Sequence, residues 1–245
     1  MTTLLRMRGL AECTTPEFRR ALVELAARLR IDPDWLSAVI AFESAATWAP
    51  NVTFGGGRYR GPQDEGKAVG LIQFTNVALD AMMRRGWPMT KAHLAEMSAE
   101  HQLAWVERYF STVLGGRQME SLGDVYMAVF APSAVGRGDS TILYQEPSGA
   151  YSANRPLDGN SDGAITRGEA VRPVRVLLSE ALGLGPMPVD GGEGDALAAF
   201  PDSGRPSLDD LSAVRQSVVE ARDEICARLD AMNGVLRELT TRLGA

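Results

Sequence analysis

A single carboxylate on an otherwise apolar helix is the first feature of this chain able to do chemistry. It lies in Asp34-Trp35-Leu36-Ser37-Ala38-Val39-Ile40-Ala41-Phe42-Glu43-Ser44. On a helix, Glu43 shares its face with the residues three, four and seven positions back. Those are Ile40, Val39 and Leu36, all apolar. The segment is apolar around most of its circumference, which predicts a central, buried element. Glu43 then sits among hydrophobic neighbours near a helix C-terminus. Desolvation and the negative end of the helix dipole both disfavour its charged form. A carboxyl that stays protonated can donate its proton to a leaving glycosidic oxygen. The helix alone leaves a second reading open, a structural Glu paired with an arginine or exposed at the helix end.

A second set of oxygens falls at metal-ligand spacing. Asp158-Gly159-Asn160-Ser161-Asp162-Gly163-Ala164-Ile165-Thr166-Arg167-Gly168-Glu169 matches the twelve-residue EF-hand loop. Asp158, Asn160 and Asp162 supply the first three ligands, and Gly163 makes the sharp turn. The Ala164 carbonyl and Thr166 follow, and Glu169 is placed to chelate with both oxygens. Ile165 is the apolar residue expected at position eight. Pro156 argues against a regular incoming helix, and Ala170 to Leu182 supplies an exiting one. Sensors usually pair such loops. A single one predicts a structural Ca²⁺ clamp, with an Asx-rich, metal-free turn as the alternative.

These residues need a helical frame, and the first 184 residues provide one. Thr14-Thr15-Pro16-Glu17 and Asp32-Pro33 have the chemistry of helix starts. Phe18, Leu22, Leu25 and Leu29 follow the first at helical spacing. The second helix is expected to run to about Thr47. Further helices are expected over Glu100 to Phe110 and around Val125, Val129 and Phe130, with a long irregular insertion from Asn51 to Lys67. No run of alternating strands, no Rossmann pattern and no P-loop is present, so the body reads as mainly α. Hydrophobic residues make up 45% of the 245-residue chain and the net charge is −6. That charge argues against non-specific nucleic-acid binding. No stretch approaches the roughly 18 apolar residues of a membrane span. Cys13 and Cys226 read as reduced thiols, with Cys226 able to meet its copy in an oligomer. His93 and His101 have no partner at zinc spacing and read as surface or capping residues.

Phe42-Glu43-Ser44 together with Gly70-Leu71-Ile72-Gln73-Phe74 resembles the first two motifs of the lytic transglycosylase (SLT) domain, a lysozyme-like fold. Gln102-Leu103-Ala104-Trp105-Val106-Glu107-Arg108-Tyr109-Phe110 is similar to the helix that follows in phage- and prophage-borne members. The resemblance spans about residues 18 to 136. It implies cleavage of the MurNAc-GlcNAc β-1,4 bond of peptidoglycan, with Glu43 as general acid and then base and a 1,6-anhydro product. It places Ser44 at the helix end and Gly70, Gln73 and Phe74 along the glycan strand. Gly70 would let backbone approach the sugar, and Gln73 would hydrogen-bond it. Phe74, Trp48 and Tyr59 offer apolar faces to sugar rings or belong to the core. The third motif departs from the family. The usual Ala-Tyr-Asn-Ala-Gly appears as Ala128-Val129-Phe130-Ala131-Pro132-Ser133-Ala134-Val135-Gly136. Phe130 takes the Tyr position, and the hydroxyl expected to hold Glu43 falls to Tyr126 or is missing. Asp64 and Glu65 offer a second carboxylate, and with it an inverting hydrolase as the other route.

Composition changes after Leu184. Residues 185–206 are rich in Gly and Pro and read as a linker. From 207 to 245 a heptad seam runs through Leu211, Val214, Val218, Ala221 and Ile225. A stutter follows, and Leu229, Met232, Leu236, Leu239 and Leu243 continue it. The expected organisation is thus a lysozyme-like helical domain over 1–184 containing the EF-hand-like loop, a linker, and a C-terminal coiled-coil helix. The coiled coil implies a homo-oligomer or assembly into a particle. Arg6, Arg8 and Glu12 interrupt the N-terminus, so no secretory signal is expected. The reading is a protein made in the cytoplasm that acts at the cell wall, carried by a virion or phage-like particle. The rival is a non-catalytic structural or glycan-binding component that keeps the fold.

Overall fold

Two capped helix starts build the centre of the molecule. The Thr15 hydroxyl accepts from the Phe18 N–H, and the Asp32 carboxylate accepts from the Asp34 N–H. Pro16 and Pro33 take the first helical positions, where no N–H donor is needed. From these caps run α2 (Pro16–Leu29) and α3 (Pro33–Glu43). A four-residue helix, α1 (Leu10–Cys13), precedes them. The computed structural model describes residues 2–53 and 57–190. Within them the chain is mainly helical, continuing with α4 (Asn76–Arg84), α5 (Lys91–Glu96) and α6 (Ala99–Leu114). Then come α7 (Leu122–Phe130), α8 (Gly149–Asn154) and α9 (Arg167–Leu184). Thr75, Thr90, Ser98, Ser121, Ser148 and Thr166 cap α4 to α9 in turn. Each hydroxyl satisfies a donor that the first turn leaves open.

Every residue of α3 from Leu36 to Glu43 is buried. The helix packs against α2, α7 and α9, which together enclose it. α6 lies against α2 and α4 on the other side of the core. Its buried face carries Leu103, Val106, Tyr109, Phe110 and Leu114, and one polar residue, Gln102. Among the described residues no helix is long and apolar enough to cross a membrane.

The structure departs from the sequence expectation at the end of α3. The helix stops at Glu43, four residues short of Thr47. The Ser44 N–H closes back on the Ile40 carbonyl and the Ala46 N–H on the Ala41 carbonyl. Ala45, Ala46 and Trp48 all take left-handed backbone, with φ of 55°, 57° and 55°. Such backbone costs a non-glycine residue about 1–2 kcal/mol, so something must hold it. The chain before α1 does so. The Trp48 indole donates to the Arg8 carbonyl at 2.9 Å, and Trp48 packs edge-on against Phe18. Gly9, with φ of 71°, lies so near the turn that a Cβ there would sit 2.3 Å from the Ala46 carbonyl oxygen.

Other differences are smaller. α6 is about a turn longer than expected. α4 and α5 come from short segments of nine and six residues. A helix does precede the EF-hand-like loop, despite Pro156. It is the six-residue α8, and it ends before the single turn Arg155–Leu157 that contains the proline. Two small antiparallel sheets are present. In one, β1 (Thr3–Leu5) pairs with β4 (Pro186–Pro188), and the Val189 N–H donates to the Thr2 carbonyl. Residues 186–190 are therefore part of the body, although their Gly/Pro chemistry reads as linker. In the other, β2 (Ile142–Gln145) pairs with β3 (Ala164–Thr166). The remaining linker residues, the heptad segment and Cys226 lie outside the described residues.

Gly9→Ala is expected to destabilise the protein by at least about 2 kcal/mol in chemical denaturation, since strain and collision add. Gly115 has φ of 57° with nothing within 4 Å of a built Cβ. Gly115→Ala should cost only the strain, about 1 kcal/mol.

Candidate active site

Glu43 is the last residue of α3 and is 2% exposed. Its neighbour Phe42 meets the Tyr126 ring edge-on at 5.6 Å. Tyr126, fully buried on α7, stacks on Phe130 at 5.5 Å with the planes 9° apart. Phe130 in turn meets Tyr144 of β2 edge-on at 6.0 Å. Phe130 and Tyr144 are half-buried. An aromatic line thus runs from the residue beside Glu43 outward to β2. Tyr126 and Phe130, both named from the altered third motif, are neighbours on α7 and stack on each other. Tyr144 was missed, because its strand is short and its partner is distant in sequence.

The second motif forms a tight turn, with Val69 and Phe74 bridged across it. Gly70 has φ of 87° and Gln73 has φ of 54°. The Gln73 amide donates to the Gly70 carbonyl at 2.9 Å and to the Val52 carbonyl at 3.2 Å. The Gly70 N–H donates to the same Val52 carbonyl. These bonds hold the turn against the chain that leaves α3. The expected sugar-facing roles change here. The open side of Gly70 faces Gln102, whose Oε1 would lie 2.3 Å from a Cβ. Phe74 is a core ring, edge-on to Tyr109 at 6.0 Å. Ser44 is buried, and its hydroxyl accepts from the Trp48 N–H. Trp48 is likewise core. Tyr59 donates to Glu65 from the insertion.

Gln102 is fully buried and touches three segments with one carboxamide. Its Oε1 accepts from the Leu71 N–H at 2.7 Å. Its Nε2 donates to the Pro50 carbonyl at 2.9 Å and to the Leu94 carbonyl at 2.8 Å. The signal in the sequence was a polar residue on the apolar face of α6, four positions before Val106.

Asp64 is buried in the insertion and serves two cations. Lys67 Nζ lies 2.9 Å from one oxygen, and Arg60 Nε lies 3.2 Å from the other. Hydrogen bonds from Arg60 first, then Lys67, hold its carboxyl well below the ordinary carboxylate range. Glu65 is exposed beside it. His93 and His101 donate only their backbone N–H groups to the caps Thr90 and Ser98.

The loop 158–169 closes on itself. The Asp162 N–H donates to Asp158 and Asn160, the Gly163 N–H to Asp158, and the Ala164 N–H to Asp162. Gly163 has φ of 83°, as a sharp turn requires. Glu169 is turned onto the start of α9. Its Oε2 accepts from the Thr166 N–H and hydroxyl, and its Oε1 accepts from the Gly159 N–H. Among the described residues no three His, Cys, Asp or Glu side chains are gathered as a metal group. Asn160, the Ala164 carbonyl and Thr166 lie outside such a count of His, Cys, Asp and Glu side chains. The Tyr151 hydroxyl donates to Asp158 at 2.6 Å, and this bond raises the phenol to about 12.

The loop is tied to the aromatic line twice. Ile165, fully buried, pairs with Tyr144 across β2 and β3. Arg167, the first residue of α9, is buried and meets Asp124 of α7 at 2.9 Å and Asp139 at 2.7 Å. Burial pushes Asp124 up, but the Gly136 N–H, the Ser121 hydroxyl and Arg167 outweigh it and leave its carboxyl lowered.

No protein-family model matches this chain, and no curated protein matches it in sequence. The geometry therefore carries the functional argument.

Asp64 gives a pH prediction. Its folded value lies far below the ordinary 3.8, so its stabilisation is fully present above that value. It is lost as the pH falls below 3.8 toward the folded value. Asp64→Asn should lower the thermal midpoint at pH 7, and the gap to the parent should shrink through acid pH. A gap that stays constant down to pH 2 contradicts the ion-pair role.

Proposed function

We propose that this chain cleaves the MurNAc-GlcNAc β-1,4 bond of peptidoglycan as a lytic transglycosylase with a lysozyme-like helical domain. The observation that carries the reading is the position of Glu43. A carboxyl at 2% exposure ends a helix that is buried from Leu36 onward and is followed by strained backbone. A carboxyl is seldom taken out of water without a use, and strain gathers where function requires it.

In this reading Glu43 starts as the acid. It gives its proton to the glycosidic oxygen as the bond from C1 to that oxygen breaks. The carboxylate then takes the proton from the 6-hydroxyl of the same MurNAc. That oxygen closes on C1, leaving a 1,6-anhydro ring and Glu43 protonated again. No water and no second carboxylate are consumed. The state of Asp64 favours this route over the inverting one, because a carboxylate spent on Arg60 and Lys67 is a poor base. The half-buried rings of Phe130 and Tyr144 offer apolar faces for sugar along the line from Phe42.

The same reading gives the loop a structural Ca²⁺, held by Asp158, Asn160, Asp162, the Ala164 carbonyl, Thr166 and Glu169. The ion would clamp β3, and through β2 it would steady Tyr144. Residues 207–245 would assemble copies of the chain on a phage-like particle that delivers it to the wall.

Mass spectrometry of fragments released from purified peptidoglycan tests the chemistry. The parent should release anhydro-ended muropeptides between pH 4 and 8, and Glu43→Gln should lower release by at least about 100-fold. Reducing ends would make it a hydrolase. No release by the parent would leave the non-catalytic, glycan-binding reading. For the metal, titration calorimetry should show Ca²⁺ binding that Asp158→Ala abolishes. No heat with the parent at millimolar Ca²⁺ sinks the clamp.

A further inference from the structure

We infer that Gln102 is a positioning residue for the proposed site, and the inference rests on that functional reading. Its carboxamide sets the Gly70–Phe74 turn against the segment that leaves the Glu43 helix. Three backbone groups converge at one point, and the bonds to two of them, Leu71 and Leu94, are buried. The Leu71 N–H needs an acceptor, while the Pro50 and Leu94 carbonyls need donors. Only a carboxamide presents one acceptor and two donors on a single planar group, and only Gln has this reach. A buried backbone group left without its partner is destabilising, so the arrangement is specified tightly.

Gly70 is the other half of the fit. A side chain there would collide with Gln102 at its Oε1, its Nε2 and the carbon between them, all within 3 Å. The close approach that a glycine permits is used by protein, on the inner side of the turn. The same turn is tied to Val52 by the Gly70 N–H and the Gln73 amide. Pro50 and Val52 flank one short stretch of chain, seven to nine residues beyond Glu43. Gln102 therefore joins α6, the end of α5, the turn and the strained exit from α3. It acts on the reaction through these segments. A shift of about 1 Å in such a frame is enough to cost about 100-fold in rate.

Gln102→Glu tests this. When ionised, the new carboxylate faces the Pro50 and Leu94 carbonyl oxygens with no proton, and their repulsion pushes it off the position from which it accepts from Leu71. When protonated, it keeps the acceptor and regains one donor. The ratio of variant to parent in muropeptide release should be about 0.1 or lower at pH 8. It should rise several-fold by pH 5, with both proteins folded by circular dichroism. Hydrogen exchange at the Leu71 amide should be faster in the variant than in the parent at pH 8, and the excess should shrink at pH 5. A ratio that ignores pH, or unchanged Leu71 exchange, overturns the inference. Should Gln102→Glu fail to fold, Gln102→Asn keeps both groups one methylene short. It should speed Leu71 exchange and lower release together, and unchanged exchange overturns the inference again. If the parent releases nothing, the enzymatic reading fails on its own, while Leu71 exchange still decides whether Gln102 holds the turn.

Discussion

A carboxyl buried at the end of a helix that is itself buried beyond its first turn is the constraint around which this fold is arranged. From Leu36 onward α3 has no solvent face, so it must be surrounded, and α2, α7 and α9 pack against it. Helices with one wet face are the rule in a domain of this size. An enclosed one leaves its last side chain no route to water except where the chain turns away. Glu43 sits at that point, and the turn that follows takes left-handed backbone at three residues that are not glycine. The two unfavourable features are adjacent in sequence. Contacts from distant segments hold them: Arg8 and Gly9 under the turn, and Tyr126 beside Phe42.

The rest of the molecule fixes the surroundings of that point. The second-motif turn is sewn to Val52 and Pro50 by backbone and carboxamide bonds. The loop 158–169 is tied to α7 by the buried Arg167–Asp124 pair and to Tyr144 by strand pairing. Removing Arg167 would take the cation from two carboxylates, Asp124 and Asp139, and breaking a buried pair in this way is strongly destabilising. β1 lies against α3 and pairs with β4, and the Leu5 N–H donates to Asp34. Burial pushes the Asp34 carboxyl up, against the Leu5 N–H that favours its charged form.

Much of the frame was legible in the residues. Hydroxyls and Asp before apolar runs mark helix starts by a local mechanism, and the caps of α2 and α3 fall at the residues read as starts. The central burial of α3 follows from its lack of a polar face. The end of α3 was not legible. Ala45, Ala46 and Trp48 carry no local preference for left-handed backbone, and the contacts that force it come from forty residues away. The roles of Gly70, Phe74 and Ser44 were misjudged for a related reason. A motif names residue types, and only the fold decides which side of the turn faces protein. Asp64 looked like a free acid because its partners, Arg60 and Lys67, read as ordinary loop charges. Pro186 and Pro188 looked like linker because a two-stranded pairing of prolines leaves no periodic trace.

The central claim is that Glu43 is kept buried for chemistry and not for stability. Groups held for function are commonly held at the expense of stability. Thermal unfolding and peptidoglycan cleavage measured together on Glu43→Gln and Glu43→Leu put that claim to the test. The account predicts midpoints equal to or above that of the parent, with cleavage lost in both. A variant that melts well below the parent, or that still cleaves, contradicts it.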